Sequence, residues 1–299
     1  MTATAAASTV QVQRIKRRNP VVAFCLSQPL GTAGLVAIVL MGAAALLAEQ
    51  VAPYNPVVID FGAMLAPPSG DHWFGTDAFG RDILSRAIYG ARTALAIGFL
   101  SSFLGCSLGA VVGVASAYFG GRADTLIQRL MDILLSFPII VLALVVVAML
   151  GRNIILGIDF NLILAIAVPM LPRVARVVRS SALSIRELPY IDAVRVQGFG
   201  HARIIFRHMV PNVVAPYLIM LTASIGQAIL LEASLSFLGL GVAEPTPSWG
   251  LMLSGNASDF YREAPWMILF PGLAISAAVF AFNLFGDSLR DWLDPKFKV

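Results

Sequence analysis

YIDAVRVQGFGHARIIFRHMVPN, Tyr190 to Asn212, is a polar stretch carrying Arg195, Arg203 and Arg207 between two long apolar runs. Its surroundings decide the fold. Residues 19–48, 93–121, 133–151, 208–231 and 264–286 contain no Asp, Glu, Lys or Arg. Each can supply the ~20 apolar residues that cross a bilayer. A sixth run starts at Asp159 and must continue past Arg173, Arg176 and Arg179, whose long stems can snorkel to the interface. The expected spans are roughly 29–48, 93–117, 131–150, 159–180, 213–235 and 265–286. The chain is 58% apolar and 13% charged, against about 25% charged in soluble domains. Mean hydropathy is +0.81. These values exclude a soluble globular class and give an all-α polytopic membrane protein.

Lysine and arginine placement sets the orientation. With the N-terminus inside, sixteen of the 21 basic residues fall on the cytoplasmic side. They lie in the N-terminal tail, around the long loop and in the C-terminal tail, with Arg122 and Arg129 between. Arg81, Arg86, Arg92, Arg152 and Arg262 remain outside. The expected topology is N-in, C-in, with Tyr190–Asn212 cytoplasmic. The net charge of +4 reports this topology, and no nucleic-acid partner is expected. The working division is a tail at 1–28, a first span and external segment at 29–92, a five-span core at 93–290 and a second tail at 291–299.

The loop itself has a readable structure. Pro189 suits the first turn of a helix, IDAVRVQ continues it, and Gly198 ends it with a permissive turn. HARIIFRHMV starts a second helix, and Pro211 marks the return to the bilayer. The expectation is a helix–turn–helix lying across the cytoplasmic face. Outside, Ile83, Leu84, Ala87, Ile88 and Ala91 share one face at helical spacing, opposed by Arg81, Asp82, Ser85 and Arg86. That predicts an amphipathic helix on the outer surface, bracing the protein or forming a lip for an external partner. Gly105, Gly109 and Gly113 recur every fourth residue, which suits close helix packing more than a substrate role. Glu232 is a carboxylate inside an apolar run. The expectation for it is an interior position near the outer half, with a structural hydrogen-bond role favoured over substrate contact.

Chemistry-bearing motifs are sparse. The three lysines, Lys16, Lys296 and Lys298, do not follow glycine, so no phosphate-binding Gly-Lys-Ser/Thr loop exists. His72, His201 and His208 are dispersed, and no H-E-x-x-H occurs. Cys25 and Cys106 lie in or beside apolar runs as small hydrophobes. No enzyme activity, resident metal or bound cofactor is expected of this chain. A secondary transporter would need intramembrane titratable relays and inverted repeats, and only Glu232 is of that kind.

The order Asp192-Ala193, then Gly198, then nine residues, then His208, Val210 and Pro211 resembles the E-A-A-x(3)-G-x(9)-I-x-L-P loop of ABC-importer permeases. Asp192 stands for Glu, Val194 for the second Ala, His208 for Ile and Val210 for Leu. The external pattern His72, Gly75, Thr76, Asp77, Gly80, Arg81, Asp82, Ser85, Arg86, then Gly90 and Arg92, is similar to that of C-type permeases of dipeptide, oligopeptide and nickel importers. So are Asp132 with SFP, EASLSFLGLG at Glu232–Gly241 and PTPSWGLML at Pro245–Leu253. The resemblance implies a binding-protein-dependent permease fold in a prokaryotic cell membrane. It implies a B-type permease partner, two ATP-binding subunits or domains that hold the ATP, and an external solute-binding protein. Asp192, Ala193, Gly198, Arg203, Arg207, His208 and Pro211 would form the surface facing the ATPase. The cargo implied is a peptide, with nickel or another small solute as the alternative.

Overall fold

The computed structural model describes residues 20–155 and 158–293. The basic cluster at Arg14–Arg18 and the lysines 296 and 298 lie outside the described residues. Helix α1 (Pro20–Ser27) precedes α2 (Pro29–Leu46), and the short α3 (Ala48–Val51) follows. An external loop then leads to α4 (Ile83–Phe119), α5 (Gly121–Leu135) and α6 (Ile139–Leu150). A two-residue hairpin, β1 (Ile154–Ile155) and β2 (Ile158–Asp159), precedes α7 (Phe160–Arg186). The cytoplasmic loop holds α8 (Pro189–Val196) and α9 (His201–Ile204), and a π-helical turn, Ile205–Met209, joins α9 to α10 (Val210–Phe237). Two short helices, α11 (Trp249–Leu253) and α12 (Asn256–Asp259), lead to α13 (Trp266–Leu293). Five helical stretches are long and apolar enough to cross a membrane, and the bent pair α5–α6 makes a sixth crossing.

Three boundaries differ from the sequence expectation. The expected straight span at 131–150 is broken: α5 and α6 meet at 96° across Ser136–Pro138. Proline disfavours helical backbone in the residue before it, and it cannot donate to the ladder. The twelve residues of α6 rise only about 18 Å, short of a full hydrocarbon core. Residues 131–135 belong instead to α5, whose polar side is tied to α7. Arg179 Nε donates to Asp124 at 2.6 Å, and Arg176 pairs with Asp132. Those two arginines therefore find carboxylates rather than the lipid interface.

The second difference is external. Ile83 does not open a separate surface helix; it starts the 37-residue α4. Asp82 caps that helix, accepting from the Ser85 N–H at 2.8 Å. The polar side of the segment is buried as well as the apolar one, since Ser85 and Arg86 are almost fully enclosed along with Ile83 and Ala91. The third difference is at Pro211. The helix begun at His201 enters the bilayer without interruption, as the second-residue position of Pro211 in α10 shows. The Val210 N–H reaches back to Ile205 O, five residues away, so the π turn shifts the ladder where proline would otherwise clash.

The packing centre is the α4–α7 pair. A Cβ built on Gly105, Gly109 or Gly113 would lie 2.7, 2.7 and 2.5 Å from the carbonyl oxygens of Ala167, Leu171 and Ala175. Both rows repeat every fourth residue, so the two backbones touch along three turns. Lipid gives no hydrophobic drive between helices, and close backbone contact supplies dispersion instead. Pro169 and Pro172 sit buried inside α7. A similar contact joins α2 to α13, where a Cβ on Gly34 would come within 2.7 Å of Ala281 O.

Gly109→Val should force α4 from α7, because the obstructing atom is backbone and cannot rotate away. We expect a loss on the order of 1–3 kcal/mol or more, read as a lower temperature for loss of monodisperse protein in detergent. Gly42→Val, with open space around the site, should match the parent.

Candidate functional site

The cytoplasmic loop is built on a helix stop. Helix α8 begins at Pro189 and buries Ile191 and Val194. Gly198 ends it with φ +76°. The Gly198 N–H donates to Arg195 O at 2.9 Å and the Phe199 N–H to Val194 O at 3.3 Å. This is the paired bonding of a glycine-terminated helix end. A Cβ at Gly198 would meet no atom within 4 Å, so the requirement for glycine is conformational. Gly200 separates this turn from α9.

The loop is wedged against the helix bundle. Ile191, Ile204 and Met209 join Val174, Val178 and Tyr118 in one buried cluster. The Tyr118 hydroxyl meets His201 Nδ1 at 2.7 Å. Arg186 Nη1 donates to Ala117 O at 2.9 Å, fastening the end of α7 to that of α4. His208 contributes its carbonyl, which accepts from Asn212 Nδ2 at 2.7 Å and Tyr190 Oη at 3.2 Å. Helix α8 is thus seated against residues of α4, α7 and the start of α10.

What α8 leaves outward is Asp192, Ala193, Arg195 and Val196. Asp192 and Arg195 pair at 3.0 Å. Arg203 lies over the Phe199 ring at 4.0 Å, while Arg207 and Pro211 are exposed. The loop residues singled out in the sequence therefore share one region, with His208 turned inward. Two contributors escaped the sequence reading: Val196 is 89% exposed and Phe206 72% exposed. An apolar side chain inside a polar, arginine-bearing loop was the signal available.

The external residues form a second assembly. Asp77 accepts from the N–H groups of Phe79 and Arg81 at 2.8 and 3.0 Å, and from Arg81 Nε at 2.6 Å. Arg81 Nη1 reaches Glu244 at 3.0 Å. Arg86, 1% exposed, donates to Pro56 O at 3.1 Å and lies 3.8 Å from Asp77 and 3.6 Å from Glu244. Asp82 also meets His72 Nδ1 at 2.9 Å. Gly80 packs so tightly that a Cβ would fall 1.8 Å from Asp60 O. Asp77, Asp82 and Arg86 are buried, so these side chains form an internal clasp at the outer end of α4. Glu244, the distant partner that completes it, was not legible from the local pattern.

Glu232 is fully buried in the outer part of α10. It accepts from Ser236 Oγ at 2.7 Å and Ser248 Oγ at 2.8 Å. Its second oxygen has no partner. The carboxylate joins α10 to the start of α11, in keeping with an interior position and a hydrogen-bonding role.

Six apolar crossings, a polar clasp outside and a helix pair held out on the cytoplasmic side define an integral membrane transport subunit. The chain belongs to the binding-protein-dependent transport system inner membrane component family, whose match covers residues 105–299. It is 46% identical over 234 residues to the dipeptide transport system permease protein DppC of Alkalihalophilus pseudofirmus, spanning 78% of this chain and 75% of that protein. It is 40% identical to the glutathione transport system permease protein GsiD of Pectobacterium atrosepticum, spanning 91% and 89%. It is 38% identical to the probable D,D-dipeptide transport system permease protein DdpC of Escherichia coli, spanning 97% and 96%. A solved structure of the MetNI methionine ABC transporter, in an inward-facing conformation, shares the fold with a TM-score of 0.55 at 18% identity. That likeness covers 71% of this chain and 98% of the solved one.

Removing one partner of a buried ion pair strands the other. Arg86→Met should therefore cost on the order of 3–5 kcal/mol, measured as an earlier heat-induced loss of folded protein. Glu244→Gln, at a half-exposed carboxylate, should cost about 1 kcal/mol or less. Equal stability of Arg86→Met and the parent would show that the clasp does not hold the outer face.

Proposed function

We propose that this chain is one of two permease subunits of an ATP-driven peptide importer in a bacterial cell membrane. A related permease completes the path. Two ATP-binding subunits or domains dock on α8 and the turn at Gly198, and an external solute-binding protein delivers the peptide. The observation that carries this reading is α8 itself. It ends at a left-handed glycine, buries Ile191 in the cluster with Val174, Val178 and Tyr118, and turns Asp192, Ala193 and Val196 outward. A helix so placed is a lever: a load on its outer face moves α4, α7 and α10. Peptide cargo is supported by the relatives described as dipeptide and probable D,D-dipeptide transport permeases, which match over most of their length.

The cycle follows from that geometry as alternating access. Closure of the ATP-loaded subunits shifts α8, the helices tilt, and the path opens outward to the loaded binding protein. Hydrolysis and release return it to the inward side. No Gly-Lys pair occurs in this chain, so the nucleotide chemistry is assigned to the partners, and Asp192, Arg203 and Arg207 are assigned to contact rather than catalysis.

Gly198→Val places a β-branched side chain at positive φ, a cost of about 1–2 kcal/mol or more, and misplaces α8 without touching a span. Abundance and retention of partners should stay near parental. Stimulated ATP hydrolysis and peptide uptake in reconstituted vesicles should fall together. Asp192→Ala should act in the same direction and more weakly. Unchanged transport by Gly198→Val would remove the loop from the coupling role.

A further inference from the structure

Two cavities open on either side of α10 and share the same wall. One, of about 220 Å³, lies against α6 and α7 and is lined by Pro169 and Leu142. The other, of about 450 Å³, lies against α13 and is lined by Val279 and Asn283. Met220, Ser224, Gln227 and Arg173 line both. Together they form one trough that runs from the middle of α10 toward the cytoplasmic side.

The amide groups of that trough are unsatisfied. Among the described residues, the side chains of Gln227 and Asn283 have no hydrogen-bond partner, although both lie within apolar spanning helices. Gln227 stands about 26 Å along α10 from Val210 and about 15 Å from Phe237. Asn283 is level with it, since a Cβ on Gly226 would meet Asn283 Oδ1 at 3.3 Å. Primary amides facing hydrocarbon would lose several kcal/mol of hydration each with nothing in return. Lipid does cover other surfaces: Leu269, Leu273 and Phe280 on α13 are exposed and apolar. The amide-bearing face is therefore a wet one. At its cytoplasmic end the trough meets charge, with Arg173, Asp287 and Arg290 lining it, none of them paired among the described residues.

We infer that this trough is the chain's half of the translocation path, and that Gln227 and Asn283 carry the peptide backbone through the middle of the membrane. This rests on the permease reading above. Each amide is both donor and acceptor, which matches the alternating C=O and N–H groups of a peptide chain of any sequence. The mid-depth wall around them is uncharged, with Met220, Ala223 and Gly226 beside Ile219, Leu230 and Val279, and offers no charged group to select a side chain. The path reads backbone, and side-chain preference is left to the delivering protein.

The test uses the complete transporter with Cys25 and Cys106 replaced by alanine. Gln227→Cys and Asn283→Cys should react with a small cationic methanethiosulfonate, and Leu273→Cys should react roughly tenfold more slowly or not at all, because thiolate forms only in water. Gln227→Leu should lower the uptake of several tripeptides of different side chains by a similar factor, about tenfold for one lost hydrogen bond of ~1.4 kcal/mol. Partner retention should be kept. Thiols at 227 and 283 as inert as that at 273 would show a face sealed by the second permease and overturn the inference. Unchanged uptake by Gln227→Leu, or loss confined to one peptide, would overturn it too. If Gln227→Leu does not assemble, the labelling decides. Failure of the cysteine-free parent itself to retain an ATPase or import peptide would instead count against the permease reading.

Discussion

Backbone contact between α4 and α7 is the constraint on which the rest of the molecule depends. Gly105, Gly109 and Gly113 meet the carbonyls of Ala167, Leu171 and Ala175 with no room for a side chain. In lipid, where apolar side chains gain little by leaving their solvent, such shape matching replaces the hydrophobic effect. It fixes the two helices as one body. At its cytoplasmic end that body holds the loop, through Ile191, Val174 and Tyr118. At its outer end α4 carries the clasp of Asp77, Arg81 and Arg86. The two faces of the membrane are therefore joined by a rigid pair.

Polar groups in this chain divide by whether the chain satisfies them itself. Arg86, Asp82 and Glu232 are enclosed and engaged, Glu232 through one oxygen, and they tie together elements of the outer half. Arg176 and Arg179 are engaged by α5. Among the described residues, Gln227, Asn283 and Arg173 are left without partners along one trough. On that division, the outer half is a lock internal to the subunit and the inner half is a surface to be completed by water, solute or a second permease. This suits a subunit that works as one of a pair.

Much of the fold was legible because membrane insertion writes a strong pattern. Long charge-free runs mark spans, and basic residues mark the inside. The glycine at 198 and the proline at 189 mark the ends of α8 through backbone geometry alone. The failures have physical causes too. The bend at Ser136–Pro138 is invisible to hydropathy, because a broken span and a straight one have the same composition. The segment after Ile83 was read with its apolar face inward, the rule for a helix on a surface. Its polar side is enclosed along with Ile83 and Ala91, because Pro56 O, Asp77 and Glu244 satisfy Arg86, and Glu244 is far away in sequence. Pro211 suggested a break, yet the π turn before it lets the helix continue. Of the loop residues named from sequence, the backbone-determined ones kept their roles in the geometry. His208 turned inward, and the apolar Val196 emerged as a strongly exposed position of α8.

The central claim is that α8 bears on an ATP-hydrolysing partner. The most direct measurement is the thiol reactivity of Val196→Cys toward a water-soluble maleimide, with and without the ATP-binding subunits, in a background lacking Cys25 and Cys106. The account predicts rapid labelling of the permease pair alone and protection of roughly tenfold or more when the ATP-binding subunits are bound, as for a residue at the centre of a desolvated contact. Equal labelling in the two states would contradict it.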